Sequence, residues 1–272
     1  MPLDVAAEVL SNTQLSSDYN VIALGAPDIA DQVLPGQFVM VKGGDRFEPL
    51  LRRPFSVFQV LRRDNRTLGL SLLSKKIGVS TRLLFDAKPG DRIQCLGPLG
   101  RPFAPVALPA EAWMVAGGVG VAPFATLAET LNAKGVPTTL YYGARRGEEL
   151  FFLDLFERLG VRLKLATEDG SLGDMGRVTI PLERDFKALA SGASSASVMI
   201  YACGPEPMLA AVACMAASYG HPSQVSVERV MGCGLGGCYS CVIPITIVEG
   251  KPHHVRSCIA GPVFRGADIV WQ

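Results

Sequence analysis

The chain has 272 residues, of which 49% are hydrophobic and 19% charged, enough for two ordinary domains, or three if one is small, and too apolar for disorder. Lys and Arg number 26 against 25 Asp and Glu, a net charge of +1, which provides no basic face for nucleic acid. Met1-Pro-Leu-Asp-Val has no basic region leading into an apolar run, and no apolar stretch reaches the roughly eighteen residues of a membrane span, so neither a signal peptide nor a membrane partner is expected.

Residues 1–105 read as an antiparallel β-barrel domain. Leu34-Pro-Gly-Gln-Phe-Val-Met-Val41 and Lys88-Pro-Gly-Asp-Arg-Ile-Gln-Cys95 repeat one pattern, a Pro-Gly turn feeding an alternating strand. Between them Phe55–Val60 and Thr67–Leu73 alternate around the polar turn Arg62-Arg-Asp-Asn-Arg66, the pattern of a hairpin. Gly97-Pro-Leu-Gly-Arg-Pro102 reads as the exit from this domain.

From 106 to 222 strands alternate with helices, which implies an α/β domain with a parallel sheet. Strands are expected at Ala112–Ala116, Thr138–Tyr142, Val161–Leu165 and Ser197–Tyr201. Helices are expected at Val121–Lys134, Glu148–Arg158 and Glu206–Tyr219, with a weaker pattern at Leu182–Ala190. Ser191–Ser197 is a small-residue connector within the domain. Phe151, Phe152 and Phe156 form an apolar stripe at helical spacing, which reads as core.

Residues 223–272 are too few for an independent core without a metal staple. Here Cys233, Cys238 and Cys241 are spaced C-x4-C-x2-C, and Cys258 follows after sixteen residues. Glycines 232, 234, 236 and 237 let the backbone curl so that peptide N–H groups turn towards sulfur. This is the plant-type spacing of a [2Fe–2S] cluster. Zinc is the rival ligand, although structural zinc sites usually come as two short pairs. A disulfide framework would strain three cysteines within nine residues. The other cysteines (Cys95, Cys203, Cys214) are scattered, as free thiols in a reducing, cytoplasmic setting are.

Three further stretches carry chemistry. Arg53-Pro54-Phe55-Ser56 follows Arg52; two adjacent guanidinium groups suit a diphosphate, and Ser56 suits a flavin ring nitrogen. The plainer reading is a strand entry with solvated arginines. Ser74–Thr81 precedes a helical-looking segment, a ready anion site. Gly117-Gly118-Val-Gly120 lies between a strand and a helix, where a dinucleotide pyrophosphate approaches the backbone, although Ala122-Pro123 stands where a last glycine would be. Cys203-Gly204-Pro205 follows another strand and suggests the other half of one crevice; Cys203 is equally readable as a small buried hydrophobe. Arg145-Arg146 would suit a 2′-phosphate or simply be solvated, and NAD is favoured over NADP. The three histidines (His221, His253, His254) read as surface residues. No Ser/His/Asp set or paired carboxylate stands out, so no acid–base machinery is expected.

This order of parts resembles the ferredoxin–NADP reductase superfamily: R-x-[FY]-S, then G-G-x-G-x-x-P, then C-G-P. With Glu228–Cys241 and Ser257–Phe264 appended, it is similar over nearly its whole length to one branch, the electron-transfer subunits of class 1B dihydroorotate dehydrogenase. The resemblance implies three units, 1–105 binding FAD, 106–222 binding NAD(H) and 223–272 holding a [2Fe–2S] cluster. It implies a heterotetramer with an FMN-containing catalytic subunit, on which dihydroorotate is oxidised. By motif, Arg53, Pro54, Phe55 and Ser56 fall on the first FAD segment, Leu73, Ser74 and Lys75 on the second, and Ser80 and Thr81 on the third. Ser80 stands where glycine is usual and Lys75 where arginine is. Gly117, Gly118, Gly120, Cys203, Gly204 and Pro205 fall on the nucleotide segments, and Cys233, Cys238, Cys241 and Cys258 on the cluster ligands. Leu235 and Tyr239 are expected to face the partner. The alternatives are an NAD(P)H–ferredoxin reductase, a hydrogenase diaphorase-type subunit, or a zinc-stabilised or redox-sensing module without turnover.

Overall fold

The computed structural model describes residues 1–44, 49–193, 197–246 and 252–271. Its first sheet is antiparallel and has seven strands: β1 (Leu3–Gln14), β2 (Tyr19–Gly25), β3 (Phe38–Lys42), β4 (Arg53–Ser56), β5 (Gln59–Arg63), β6 (Arg66–Lys75) and β7 (Arg92–Leu99). Their order is β4-β3-β7-β1-β2-β6-β5. The two edge strands, β4 and β5, are joined only by Val57 and Phe58, so the sheet curls round until its edges meet as an open barrel. The Phe58 N–H donates to the Ser71 carbonyl and the Val57 N–H to that of Gln37, which fixes this corner. Asp64 and Asn65, both at positive φ, make the expected hairpin turn between β5 and β6. Helices α1 (Pro27–Ala30) and α2 (Val79–Asp86) lie beside this sheet.

The second sheet alternates with helices: β8 (Glu111–Gly117), α3 (Phe124–Ala133), β9 (Thr138–Ala144), α4 (Leu153–Arg158), β10 (Arg162–Thr167), β11 (Asp174–Met175), α5 (Thr179–Ala188), β12 (Val198–Cys203), α6 (Glu206–Ser218) and β13 (Ser223–Ser226). The hairpin β14 (Val242–Thr246) and β15 (Pro252–Arg256), then α7 (Ser257–Ala260) and β16 (Val263–Arg265), complete the chain. The order β11-β10-β9-β8-β12-β13-β16 is parallel up to β13, with β16 antiparallel at the edge. The segment from 223 onward is thus tied to this sheet by β13 and β16.

Two expectations need correction. The helix expected over 148–158 starts only at Leu153, because Phe152 is left-handed (φ 62°) and a 3-10 turn at Gly147–Glu149 precedes it. The chain leaves helical geometry so that Phe151 packs on Tyr19 and Phe152 on Phe58, ring centroids 5.0 and 4.7 Å apart. Of the supposed stripe, then, Phe156 alone sits on the helix and is fully buried. The weak pattern at 182–190 is a full helix, α5; residues 194–196 of the connector lie outside the described residues.

One hydrophobic core joins the two sheets, with Phe58, Leu73 and Phe103 from the barrel packed among Val121, Phe124 and Tyr142. A smaller one sets Met231, Cys241 and Cys258 against Phe38, Met40, Leu96 and Leu99 of the barrel. The cysteine segment is therefore seated on β3 and β7. Among the described residues no helix is long and apolar enough to cross a membrane.

Candidate functional site

The barrel has a seam. β4 is paired only with β3, and the last pair between β5 and β6 is Gln59–Ser71, so Leu72–Lys75 of β6 run beside β4 with no ladder between them. Arg53–Ser56 form one lip of this seam and Leu73–Lys75 the other. The two segments matched to FAD by motif thus face each other across edges that are not bonded to one another, each strand being paired on its other side, β4 with β3 and β6 with β2. The Ser74 hydroxyl is buried and has no hydrogen-bond partner among the described residues, an orphan that a polar atom of a ligand would satisfy.

The two arginines do not act as a pair. Arg52 turns away to Asp4, 2.9 Å to both carboxylate oxygens, and to Gln94. Among the described residues the exposed Arg53 guanidinium bonds only the nearby carbonyls of Leu51 and Arg52, an arrangement that an anion could readily replace. Lys75 is held by neighbours that the sequence pattern did not reveal: its ammonium lies 4.8 Å from the Tyr19 ring centre and 4.0 Å from Glu149 of the nucleotide unit, to which the Tyr19 hydroxyl also donates. At the start of α2, Thr81 Oγ1 accepts from the N–H groups of Ile77 and Gly78, and Ser80 is buried. The space in front of Gly78 is open.

The two glycine turns meet at the carboxyl ends of β8 and β12. In this sheet β9, β10 and β11 lie to one side of β8 and β12, β13 to the other, so the gap between β8 and β12 is the switch point where open α/β sheets bind ligands. A Cβ on Gly120 would stand 2.2 Å from the Cys203 carbonyl oxygen, and one on Gly117 would stand 2.8 Å from Pro205 Cδ. These two glycines therefore serve the packing of one turn on the other. Gly118 is different: its φ is +53° and nothing lies within 4 Å of its Cβ direction, so it is the glycine that opens onto the crevice. Burial, with the Glu228 charge adding to it, pushes the Cys203 thiol up to about 12, which leaves it neutral at ordinary pH.

In the cysteine loop, Cys233 Sγ accepts from the N–H groups of Leu235 (3.4 Å) and Gly237 (3.3 Å), and Cys258 accepts from that of Gly236. Cys238 lies 3.1 Å from the Ser240 hydroxyl, which with the Ser240 N–H pulls its thiol down to about 6. Burial and then the neighbouring Cys241 push Cys258 up to about 12. Cys238 neighbours Cys233, and Cys258 neighbours Cys241. Among the described residues no three His, Cys, Asp or Glu side chains converge on a point that would hold a single metal ion. Four thiols, with N–H donors aimed at Cys233, fit the donor set of a thiolate-held iron–sulfur cluster. Gly234 seats this loop on β3, its Cβ direction ending 2.6 Å from Met40 Cγ. Met40 in turn pairs with Pro54 of β4. Cys238 is exposed, Cys241 and Cys258 are buried, and Leu235 and Tyr239 stand 53% and 62% exposed.

The remaining candidates lie elsewhere. His221 stacks on Phe186 and His253 and His254 sit on β15. Arg146 pairs with Glu148 at an exposed corner.

Comparison with known proteins gives a consistent result. Residues 228–270 match the iron–sulfur cluster binding domain of dihydroorotate dehydrogenase B, and residues 114–213 an oxidoreductase NAD-binding domain. The chain is 36% identical over 269 residues to the dihydroorotate dehydrogenase B (NAD(+)) electron transfer subunit of Desulforamulus reducens, covering 98% of each chain. It is 35% identical to the corresponding subunit of Geobacillus thermodenitrificans, with 96% of each covered. Among solved structures, that of the NADH-dependent reduced ferredoxin–NADP oxidoreductase superposes with a TM-score of 0.82 at 27% identity, covering 98% of this chain and 90% of that one. A ferredoxin NADP+ reductase from Neisseria gonorrhoeae with bound FAD and NADP shares the fold at TM-score 0.64 and 21% identity, covering 80% and 92%.

Proposed function

The chain belongs to the family of dihydroorotate dehydrogenase B electron transfer subunits, and from that premise we propose that it carries electrons between NAD(H), an FAD and a [2Fe–2S] cluster, to or from an FMN-containing catalytic subunit in a heterotetramer. It is an oxidoreductase subunit with an NAD-binding domain and an iron–sulfur-binding domain. In this reading residues 1–105 hold FAD, 106–222 hold the nucleotide and 223–272 hold the cluster. When bound, FAD exchanges a hydride with the nicotinamide and single electrons with the cluster, which passes them one at a time.

The observation that carries the proposal is the seating of the cysteine loop. Gly234 rests on Met40 of β3, and Met40 pairs directly with Pro54 of β4, one lip of the seam. Neighbouring strands are about 4.8 Å apart, so the cysteine loop lies within about one strand of the Pro54 lip, which supports this reading. On the other lip, Leu73 packs in the same core as Val121, which follows the Gly117–Gly120 turn. A line of contacts thus runs from the cysteine loop through Met40 to the seam, and from Leu73 to the core beneath the nucleotide turn.

Within that line each residue has a stated task. Arg53 and the first N–H groups of α2 meet the diphosphate, while Ser56 and the Leu73–Lys75 edge bond the flavin ring. Gly118 admits the pyridine nucleotide to the crevice that Cys203, Gly204 and Pro205 close from the other side. Cys233, Cys238, Cys241 and Cys258 would hold the two irons.

Replacing Cys258 with serine tests the assignment, since a hydroxyl is a poor iron ligand beside a thiolate. The variant should lose its iron and sulfide while NADH still bleaches the flavin. A full complement of iron and sulfide in that protein, or zinc in place of iron in the parent, would refute the cluster.

A further inference from the structure

Arg256 closes β15 two residues before Cys258 and is half-buried. Its Nη1–H donates to the Gly236 carbonyl at 2.5 Å, and its guanidinium lies over the Tyr239 ring, 4.7 Å from the centre. Among the described residues no carboxylate is paired with it.

The Gly236 carbonyl is one end of a peptide group whose other end is the Gly237 N–H, and that N–H donates to Cys233 Sγ at 3.3 Å. One flat peptide therefore connects a fixed cation to a sulfur. A positive charge on the carbonyl side draws electron density out of the peptide and makes its N–H a stronger donor. Donors to ligand sulfur, and positive charge near it, stabilise the more negative, reduced form and so raise a cluster's potential.

We propose that Arg256 is a positioning residue that polarises the Gly236–Gly237 peptide towards Cys233, raising the reduction potential of the cluster these thiolates hold, and that it fixes the exposed Tyr239 ring beside it. The proposal rests on the cluster reading above and adds a residue that is neither a ligand nor part of the cysteine spacing. The same guanidinium ties the potential of the site to the shape of its rim: the hydrogen bond tunes sulfur, and the cation–π contact orients Tyr239, whose φ is +59°. A partner pressing on Tyr239 would shift Arg256 and thereby the donor strength at Cys233.

The test compares Arg256→Gln, which keeps a donor without charge, and Arg256→Lys, which keeps charge without the planar fork. Iron and sulfide content of the parent come first: a parent without iron refutes the cluster itself, not the role of Arg256. In the loaded full-length proteins, potentials are read by EPR-monitored redox titration. The expected order is parent highest, Lys lower and Gln lowest, with unchanged iron content and faster hydrogen exchange at the Gly237 amide. A Gln protein with the parent's potential overturns the proposal. If the Gln protein does not retain its cluster, the Lys protein decides: a negative shift supports the role, and a potential at or above the parent's overturns it. A purely structural role would change loading or melting temperature and leave the potential where it was.

Discussion

Gly120 and Cys203 meet backbone to backbone, so closely that a methyl group on Gly120 would lie 2.2 Å from the Cys203 carbonyl oxygen and 2.8 Å from Gly204 Cα. Neither neighbour is a flexible side-chain end, so the strain cannot be relieved by a rotamer change. Gly120→Ala should destabilise the fold by about 1–3 kcal/mol, the scale of overpacking, read as a lower urea midpoint. Gly118→Ala should behave differently. Its surroundings are open, so the cost is the left-handed conformation, about 1–2 kcal/mol, and the larger effect should be a higher KM for NADH. Equal effects of both substitutions on NADH binding, with no loss of stability in Gly120→Ala, would contradict this division of labour.

How much of this was legible in the sequence depends on how local each cause is. The cysteine spacing, the hairpin at Asp64-Asn65 and the two glycine turns are set by residues within a few positions of each other, and all were readable. β1 and β2 were not read as strands: a bulge between Val9 and Ser11 breaks the alternation, and no Pro-Gly turn announces either. Adjacency in sequence pairs Arg52 with Arg53, yet its partner Asp4 lies 48 residues away. Glu149 at Lys75 and Phe152 at Phe58 are likewise contacts between units, which no periodicity encodes. The motif points its glycines at the ligand as a set, whereas Gly117 and Gly120 serve protein packing, and only their neighbours in the fold separate them from Gly118.

The division between the two arginines makes a second prediction. Arg53→Ala should weaken FAD binding by about 1.5–3 kcal/mol, the scale of a charged hydrogen bond, and leave the melting temperature of the flavin-free protein unchanged. Arg52→Ala loses a partly exposed ion pair, worth about 0.2–1 kcal/mol, and should leave FAD affinity alone. Fluorescence titration of FAD into both flavin-free proteins separates them. A loss of affinity in Arg52→Ala equal to that in Arg53→Ala would restore the paired clamp.

Cys95 carries a pH prediction. Burial, opposed by Arg52 and reinforced by Asp4, pushes its thiol up to about 12, against about 8.5 in an unfolded chain. The folded state holds the proton more tightly, so the contribution of Cys95 to stability is complete below the unfolded value. It is lost as pH rises from about 8.5 towards 12. Cys95→Ala creates a cavity and should cost stability at pH 8, but it has no thiol to ionise. The penalty of the substitution should therefore shrink between pH 8 and pH 10.5 in denaturant titrations. A penalty that is constant or grows over that range would mean that the thiol ionises at least as readily in the folded state as in the unfolded one.

The exposed rim of the cysteine loop makes the last prediction. Leu235, Tyr239 and Ile259 are 53%, 62% and 48% exposed, around thiols of which Cys241 and Cys258 are already buried by Met40, Leu99 and their neighbours. The Leu235 N–H faces Cys233, so the backbone of this residue serves the sulfur while the side chain remains available to solvent. Two accounts compete: the apolar rim docks the catalytic subunit, or it keeps water from the cluster and so sets its potential. Leu235→Asp distinguishes them. If the rim docks, a carboxylate placed in the interface should weaken association by about 2 kcal/mol or more, roughly thirty-fold in Kd, measured by gel filtration and calorimetry with the purified partner. The visible and EPR spectra of the isolated subunit should stay as they were, because the N–H groups that meet sulfur belong to the unchanged backbone. A bleached or shifted spectrum together with normal association would show that the side chain shields the cluster, and the docking surface would then have to lie elsewhere.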